Sequence, residues 1–266
     1  MKFSNHKMTE KLTLRWLGIN GFELQYRGTT VLIDPCVTRG DSDRLSDPAL
    51  VQKYLRRADA IVITHSHWDH LADVPEIIRR TGAALYGTPT TCNIARYYGI
   101  AENLLHEVGY QSYISLTPEI IVDFLESRHL QPCNHEGSYH TVPACLAARS
   151  DFLCGEVLAL RFQFGHTVVL NVGSANLAPE AIRGTRCDYL LCGISRWKPG
   201  FPELLADNLD FNVFIPTHHD DFVHFPLSRF ALRDDFIRLR PELAKLRPET
   251  RFLEVNVLQD YELECP

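Results

Sequence analysis

The sequence predicts an α+β layered sandwich, and two features of its patterning carry the prediction. Strand-like segments dominate the N-terminal part, whereas helix-like and strand-like segments alternate over the last third. Strands first, then mixed helices and strands, indicate layers of different make-up packed on a common core. The 266 residues include 45% hydrophobic and 23% charged side chains, enough for a large core, and no Gly/Ser-rich or Pro-rich linker divides them. Residues 1–266 are therefore expected to form a single domain.

The elements follow in order. Leu12–Leu17 alternates between faces, Gly18–Gly21 turns, and Phe22–Tyr26 and Thr30–Ile33 read as strands joined by the hairpin turn Arg27-Gly28. Pro48–Arg57 is weakly helical, and Ala60–Ile63 is an apolar run that reads as a buried strand. Asp73, with Glu76 three residues later, predicts a capped helix start, and Gly82 its end. A short strand at Ala83–Tyr86 and a helix over Thr91–Tyr98 come next. Strands are expected at Ser112–Leu116, Ile120–Leu125, Val157–Phe164 and Thr167–Val172, with a long irregular stretch, Leu130–Asp151, among them. Pro179–Arg183 and Pro202–Asn208 read as helices, Asp188–Cys192 and Asn212–Ile215 as strands. Ser228–Leu246 has a helical pattern interrupted at Pro241, and Leu253–Val257 alternates as a final strand.

Charge and composition narrow the function classes. A net charge of −6 lacks the basic footprint of a nucleic-acid binder. Residues 1–7 have no signal-peptide core, and no stretch approaches the roughly 18 apolar residues of a membrane span, so the expected location is cytoplasmic. The 8 cysteines are scattered without a C-x-x-C pair; they are expected to be free and buried rather than to hold zinc.

The most informative segment is Thr64-His65-Ser66-His67-Trp68-Asp69-His70, directly after the apolar run Ala60–Ile63. Zinc takes imidazole and carboxylate ligands, and a catalytic zinc keeps a position open for water. His65 and His67 can converge on one ion from a curved loop, while Asp69 and His70 can address a second. A strand end supplies the rigid platform such ligands need.

This His-x-His-x-Asp-His pattern resembles the signature of the metallo-β-lactamase superfamily. Leu14–Phe22 followed by Leu32-Ile33-Asp34-Pro35 resembles the opening of its hydrolase branches. The resemblance implies an αββα sandwich of two mixed β-sheets flanked by helices, with metals at one edge between the sheets. It implies that His129, after the strand Ile120–Leu125, joins His65 and His67 at one metal. It also implies that His218, in Pro216-Thr217-His218, joins Asp69 and His70 at the other, with His219 as its competitor. One departure stands out. Ser174 occupies the place where many dinuclear members carry a metal-bridging aspartate. Three readings follow: one tightly held zinc, an oxygen ligand from Asp220 or Asn176 in place of the bridge, or a degenerate site.

The expected activity is zinc-dependent hydrolysis of an ester, lactone or phosphodiester bond in a small molecule or lipid. Zinc, as one or two ions, is the expected cofactor, with iron and manganese as alternatives. Asp69 is the expected catalytic residue, orienting the attacking water or taking its proton. Arg196 and Lys198 are expected to hold an anionic substrate group and Trp197 to line a pocket, while the loop Leu130–Asp151 covers the site. His135, His140, His219 and His224 are candidate proton donors. Two other classes remain open: an iron-dependent oxidoreductase of the same fold, and a non-catalytic metal-binding member lacking the bridging aspartate.

Overall fold

The computed structural model describes residues 11–39, 44–220 and 234–264. Six strands open the chain: β1 (Leu12–Gly18), β2 (Gly21–Tyr26), β3 (Thr29–Ile33), β4 (Ala60–Val62), β5 (Ala84–Gly87) and β6 (Leu105–Glu107). Seven more form a second sheet: β7 (Ser112–Thr117), β8 (Ile120–Glu126), β9 (Leu158–Phe164), β10 (Thr167–Val172), β11 (Thr185–Gly193), β12 (Leu209–Thr217) and β13 (Arg251–Phe252). The last strand, β14 (Asp260–Leu263), returns to the first sheet and pairs antiparallel with β1. The helices are α1 (Pro48–Tyr54), α2 (Trp68–Leu71), α3 (Val74–Thr81), α4 (Pro89–Tyr97), α5 (Pro179–Ile182), α6 (Phe201–Asn208) and α7 (Asp235–Leu246).

Both sheets are mixed. β1, β2 and β3 form an antiparallel meander, and β3, β4, β5 and β6 run parallel. In the other sheet β7–β10 are antiparallel, and β10–β13 are parallel. Three apolar clusters account for the layers. Leu14, Phe22, Val62, Phe124, Phe162 and Leu191 belong to the cluster between the sheets. Ile61, Ile63, Ile77 and Ile94 pack α3 and α4 on the outer face of the first sheet. Leu190, Phe214, Leu205 and Leu239 pack α6 and α7 on the outer face of the second. Period-2 alternation explains the division: Ile61 and Val62 point to opposite faces of one strand and enter different clusters. This is the αββα sandwich that the resemblance implied.

Three expectations need correction. Leu253–Val257 is not a strand; only Val257 forms an isolated bridge, to Trp16, and the pairing strand is β14. Its alternation records partial burial against the core, not a ladder partner. Asp73 precedes α3 but makes no cap hydrogen bond. Its carboxylate instead accepts the N–H groups of Val37 and Thr38 and the hydroxyls of Thr38 and Ser46. The cysteines are not all buried: Cys145 is exposed and Cys133 half-buried. Residues 228–233, His224 and Cys265 lie outside the described residues.

Two glycines hold the sandwich edge tight. A methyl group at Gly173 would sit 2.5 Å from Thr64 Oγ1, and one at Gly193 would sit 2.8 Å from the Gly173 carbonyl oxygen. Gly173→Ala is expected to destabilise by about 1–3 kcal/mol through overpacking. Chemical-denaturation midpoints check this; an unchanged midpoint would show that the edge has slack.

Candidate metal centre

All the singled-out residues lie where strands end. Asp34 follows β3, the 64–70 loop follows β4, His129 follows β8, Ser174 follows β10, Arg196 and Lys198 follow β11, and His218 follows β12. Carboxyl ends of parallel strands are the usual place for a ligand crevice.

The structure brings six of the predicted ligands into two groups. His65, His67 and His129 offer ring nitrogens within 4.8 Å of one another, and Asp69, His70 and His218 do the same with one carboxylate. His65 Nε2 lies 3.1 Å from His67 Nδ1. Nitrogens bound to one zinc at about 2.0–2.1 Å lie roughly 3.3 Å apart. Asp69 Oδ2 lies 3.4 Å from His218 Nε2 and 3.8 Å from His70 Nε2.

The opposite ring nitrogens are anchored by acceptors. His70 Nδ1 donates to Asp34 Oδ2 at 2.7 Å. His129 Nδ1 donates to the Leu130 carbonyl at 2.8 Å. His67 is bonded to the Asn134 backbone. His65 Nδ1 lies 3.0 Å from Thr64 Oγ1, which donates onward to Asp34 Oδ2 at 2.5 Å. These partners set the tautomers so that each imidazole turns a lone pair toward its cluster. His65 Nε2 and His67 Nδ1 then face each other as two acceptors, an arrangement that needs a cation or proton between them. His70 Nε2 is buried with no hydrogen-bond partner among the described residues. The donor set therefore fits two metal ions.

Asp34 is the hub that sequence reasoning left without a role. It accepts from His70, from Thr64 N–H and Oγ1, and from Asn20 Nδ2. One buried carboxylate thus orients His70 directly and His65 through Thr64. The signal was present: an aspartate directly after the strand that precedes the one leading into the histidine run.

Burial, and then the neighbouring imidazoles, hold His65 well below the ordinary imidazole value. Burial also pushes His67 down to about 4 and lowers His129. These three are neutral at pH 7, the form that binds metal. Burial opposes charge on His70, but Asp34 and Asp69 outweigh it, and the net shift is upward. Burial likewise opposes the Asp69 carboxylate, yet His70 and His218 hold it well below the usual range.

A stability consequence follows for the metal-stripped protein. Where the native state binds fewer protons than the unfolded one, stability rises with pH. His65, His67 and His129 are of this kind, so stability is expected to fall as pH drops from 6.5 toward about 4, where folded His67 takes its proton. His70 acts oppositely: its contribution is full below 6.5 and is lost as pH rises through its folded value. Three against one leaves the acid side weaker. Urea midpoints at pH 7 and pH 5 test this; an equal or higher midpoint at pH 5 would contradict it.

The residues around Ser174 are positioning groups. Ser174 Oγ accepts the Leu130 N–H at 3.0 Å, and Asn176 Nδ2 donates to the His129 carbonyl at 3.0 Å. Both clamp the backbone on either side of His129. Asp220 is in neither cluster: both its oxygens accept the Ile19 N–H, at 2.8 and 3.0 Å. It does not stand in for a bridging carboxylate, because the turn after β1 has claimed it. The same Ile19 carbonyl accepts His218 N–H at 2.8 Å and the Thr217 hydroxyl, so this clasp aims His218. His219 instead stacks on Trp16, 5.4 Å between ring centres, and belongs to neither cluster.

The clusters open into a cleft of about 630 Å³. Asp69, His135, Arg149, Arg196 and Lys198 line it, as do residues 130–132 and 134 of the long loop. Of the described candidate proton donors, His135 alone reaches this cleft. Trp197 does not line it; its indole is buried under α6 and α7 and donates to the Asp235 carbonyl at 2.9 Å. Arg149 went unnoticed in the sequence, because only the folded loop carries it to Trp68, 81 positions earlier. Cys133 and Cys154, too far apart in sequence to read as a pair, meet at His67.

Two facing mixed sheets with a histidine–carboxylate cluster at their shared edge define the metallo-β-lactamase class of fold. Residues 29–225 match the beta-lactamase superfamily domain, and the chain belongs to that family. It is 40% identical over 76 residues to a UPF0173 metal-dependent hydrolase of Methanopyrus kandleri, covering 29% of this chain and 30% of that protein. The chain thus spans less than a third of the length of this relative. Igni18, a metallo hydrolase of Ignicoccus hospitalis, has a similar structure: TM-score 0.63, 17% identity, covering 96% of this chain and 99% of that one. CmlA, a diiron β-hydroxylase of Streptomyces venezuelae, superposes with a TM-score of 0.58 at 16% identity, covering 96% of this chain and 54% of that one. Among the described residues no helix is long and apolar enough to cross a membrane.

Proposed function

We propose that this chain, working as one domain, is a zinc-dependent hydrolase of ester, lactone or phosphodiester bonds in a small molecule or lipid. The observation that supports it most is the tautomer pattern: four imidazoles anchored on one nitrogen, with the other turned to a cluster. His65, His67 and His129 hold the first ion, and Asp69, His70 and His218 the second. When bound, zinc acidifies water and polarises the scissile oxygen. Asp69 is the catalytic carboxylate: lining the cleft beside His70 and His218, it orients the attacking water and accepts its proton. His135, on the exposed wall of the cleft, protonates the leaving group. Ser174 and Asn176 keep His129 in place, and the long loop excludes part of the solvent. Without a bridging carboxylate at least one of the two ions is held more weakly.

Matched panels of neutral esters, lactones and bis(4-nitrophenyl) phosphate, assayed with zinc, iron or manganese, test this reading. Turnover of one class with zinc, abolished by Asp69→Asn, is expected. Metal-bound protein inert toward all three classes would remove the hydrolase assignment and leave a binding protein.

A further inference from the structure

We propose that the mouth of the cleft is an oxyanion-binding subsite built by Arg149, Arg196 and Lys198, so that the substrate carries a carboxylate or phosphate apart from its scissile bond. The term substrate rests on the hydrolase reading above; the binding claim does not.

The charge of the cleft is the first argument. Among the described residues three cations line it against one carboxylate, Asp69, and Asp69 faces His70 and His218 in the second cluster. The chain as a whole carries −6, so this is a local reversal of sign. Such a cleft concentrates anions. The neighbouring Arg128, beside His129, pairs with Glu180 outside the cleft.

The second argument is that the cations are placed by built contacts. The guanidinium carbon of Arg149 lies 3.8 Å from the centre of the Trp68 ring. Trp68 sits between two ligand residues, and its indole N–H donates to the Leu45 carbonyl at 2.7 Å. Stacking holds the guanidinium plane against the indole at the wall of the cleft. Arg149 opens a one-turn segment, Arg149–Asp151, whose Asp151 carboxylate accepts the Ala147 and Ala148 N–H groups at 2.7 and 2.8 Å. Tyr139 fastens that turn to α4: its hydroxyl donates to the Asp151 carbonyl, its N–H to Thr90, and its own carbonyl accepts from Asn93. On the facing wall, buried Trp197 is anchored to Asp235 and leaves Arg196 and Lys198 exposed on either side. Arg196 has a φ of +53°, a costly conformation for a side-chain-bearing residue and one that clusters at ligand sites. The Arg149 wall packs on Trp68 and α4 beside the first sheet, whereas Arg196 and Lys198 follow β11 of the second, so a ligand between them would bridge the cleft above the metal clusters.

The test is calorimetric binding to the zinc-loaded protein of benzoate, phenylphosphonate and, as the neutral control, benzamide. At least one anion is expected to bind at least tenfold more tightly than benzamide, since charge-assisted hydrogen bonds are worth that much. The preferred anion distinguishes a carboxylate from a phosphate ligand. Arg149→Gln/Arg196→Gln/Lys198→Gln is expected to weaken that binding at least tenfold with zinc content unchanged. Arg196→Gln alone, at an exposed position, serves if the triple variant is unstable, and is expected to show a smaller loss in the same direction. Equal anion binding by wild type and variants would mean that the zinc alone holds the anion, and it overturns the proposal. No preference over benzamide overturns it as well. Turnover of 4-nitrophenyl acetate by the wild type is scored separately. Its absence counts against hydrolysis while the binding result stands.

Discussion

Replacing His67 with alanine is expected to empty the first metal cluster and abolish turnover. In the proposed site His67 is the middle ligand: its Nδ1 lies 3.1 Å from His65 Nε2, and its ring centre lies 4.8 Å from that of His129. Losing a direct ligand should exceed the 10–100-fold typical of an outer-shell partner, so we expect at least about a hundredfold loss of zinc affinity. Chelator competition measures it. The fold should survive, because the imidazole sits in the loop after β4 and belongs to none of the three apolar clusters. Near-native affinity in a folded His67→Ala protein would move the first metal away from these histidines.

Asp34→Ala is expected to be the most damaging change outside the ligands. It orphans four buried donors: His70 Nδ1, Thr64 N–H, Thr64 Oγ1 and Asn20 Nδ2. Each orphan costs about 1–3 kcal/mol, though the costs do not add, and a total of roughly 3–5 kcal/mol is expected. Metal affinity should fall about 10–100-fold as well, because His70 and, through Thr64, His65 lose their orientation. Asp73→Ala is the control. Asp73 is equally buried and accepts four hydrogen bonds, but from Val37, Thr38 and Ser46 rather than from the clusters. It should destabilise to a similar degree while leaving zinc affinity within about twofold. Equal affinity losses in both variants would reduce the role of Asp34 to general stability.

What the sequence made legible was local. His65, His67, Asp69 and His70 stand within six residues after an apolar strand, and spacing alone marks them. His129 and His218 carry no local signal; they were found through the order of motifs in the family. Asp34 belongs to the stretch that carries that resemblance but has no visible partner in the sequence, since its contacts to Asn20, Thr64 and His70 exist only once three strands align. Asp220 looked like a spare oxygen ligand because one-dimensional proximity to His218 cannot show that Ile19 claims it. Arg149 and the clamp formed by Ser174 and Asn176 depend on the path of the long loop, which has no periodicity to read. The misplaced last strand has a related cause. Leu253–Val257 alternates because Leu253, Val255 and Val257 touch the core, and alternation reports burial without naming a hydrogen-bonding neighbour.

The most direct test of two adjacent metal sites is zinc per chain by elemental analysis, on protein saturated with zinc and freed of excess by buffer exchange. We predict close to two zinc ions for the wild type and about one for His70→Ala, with the remaining ion lost in His65→Ala/His70→Ala. A wild-type protein that retains no zinc, or a stoichiometry that these substitutions leave unchanged, would contradict the account.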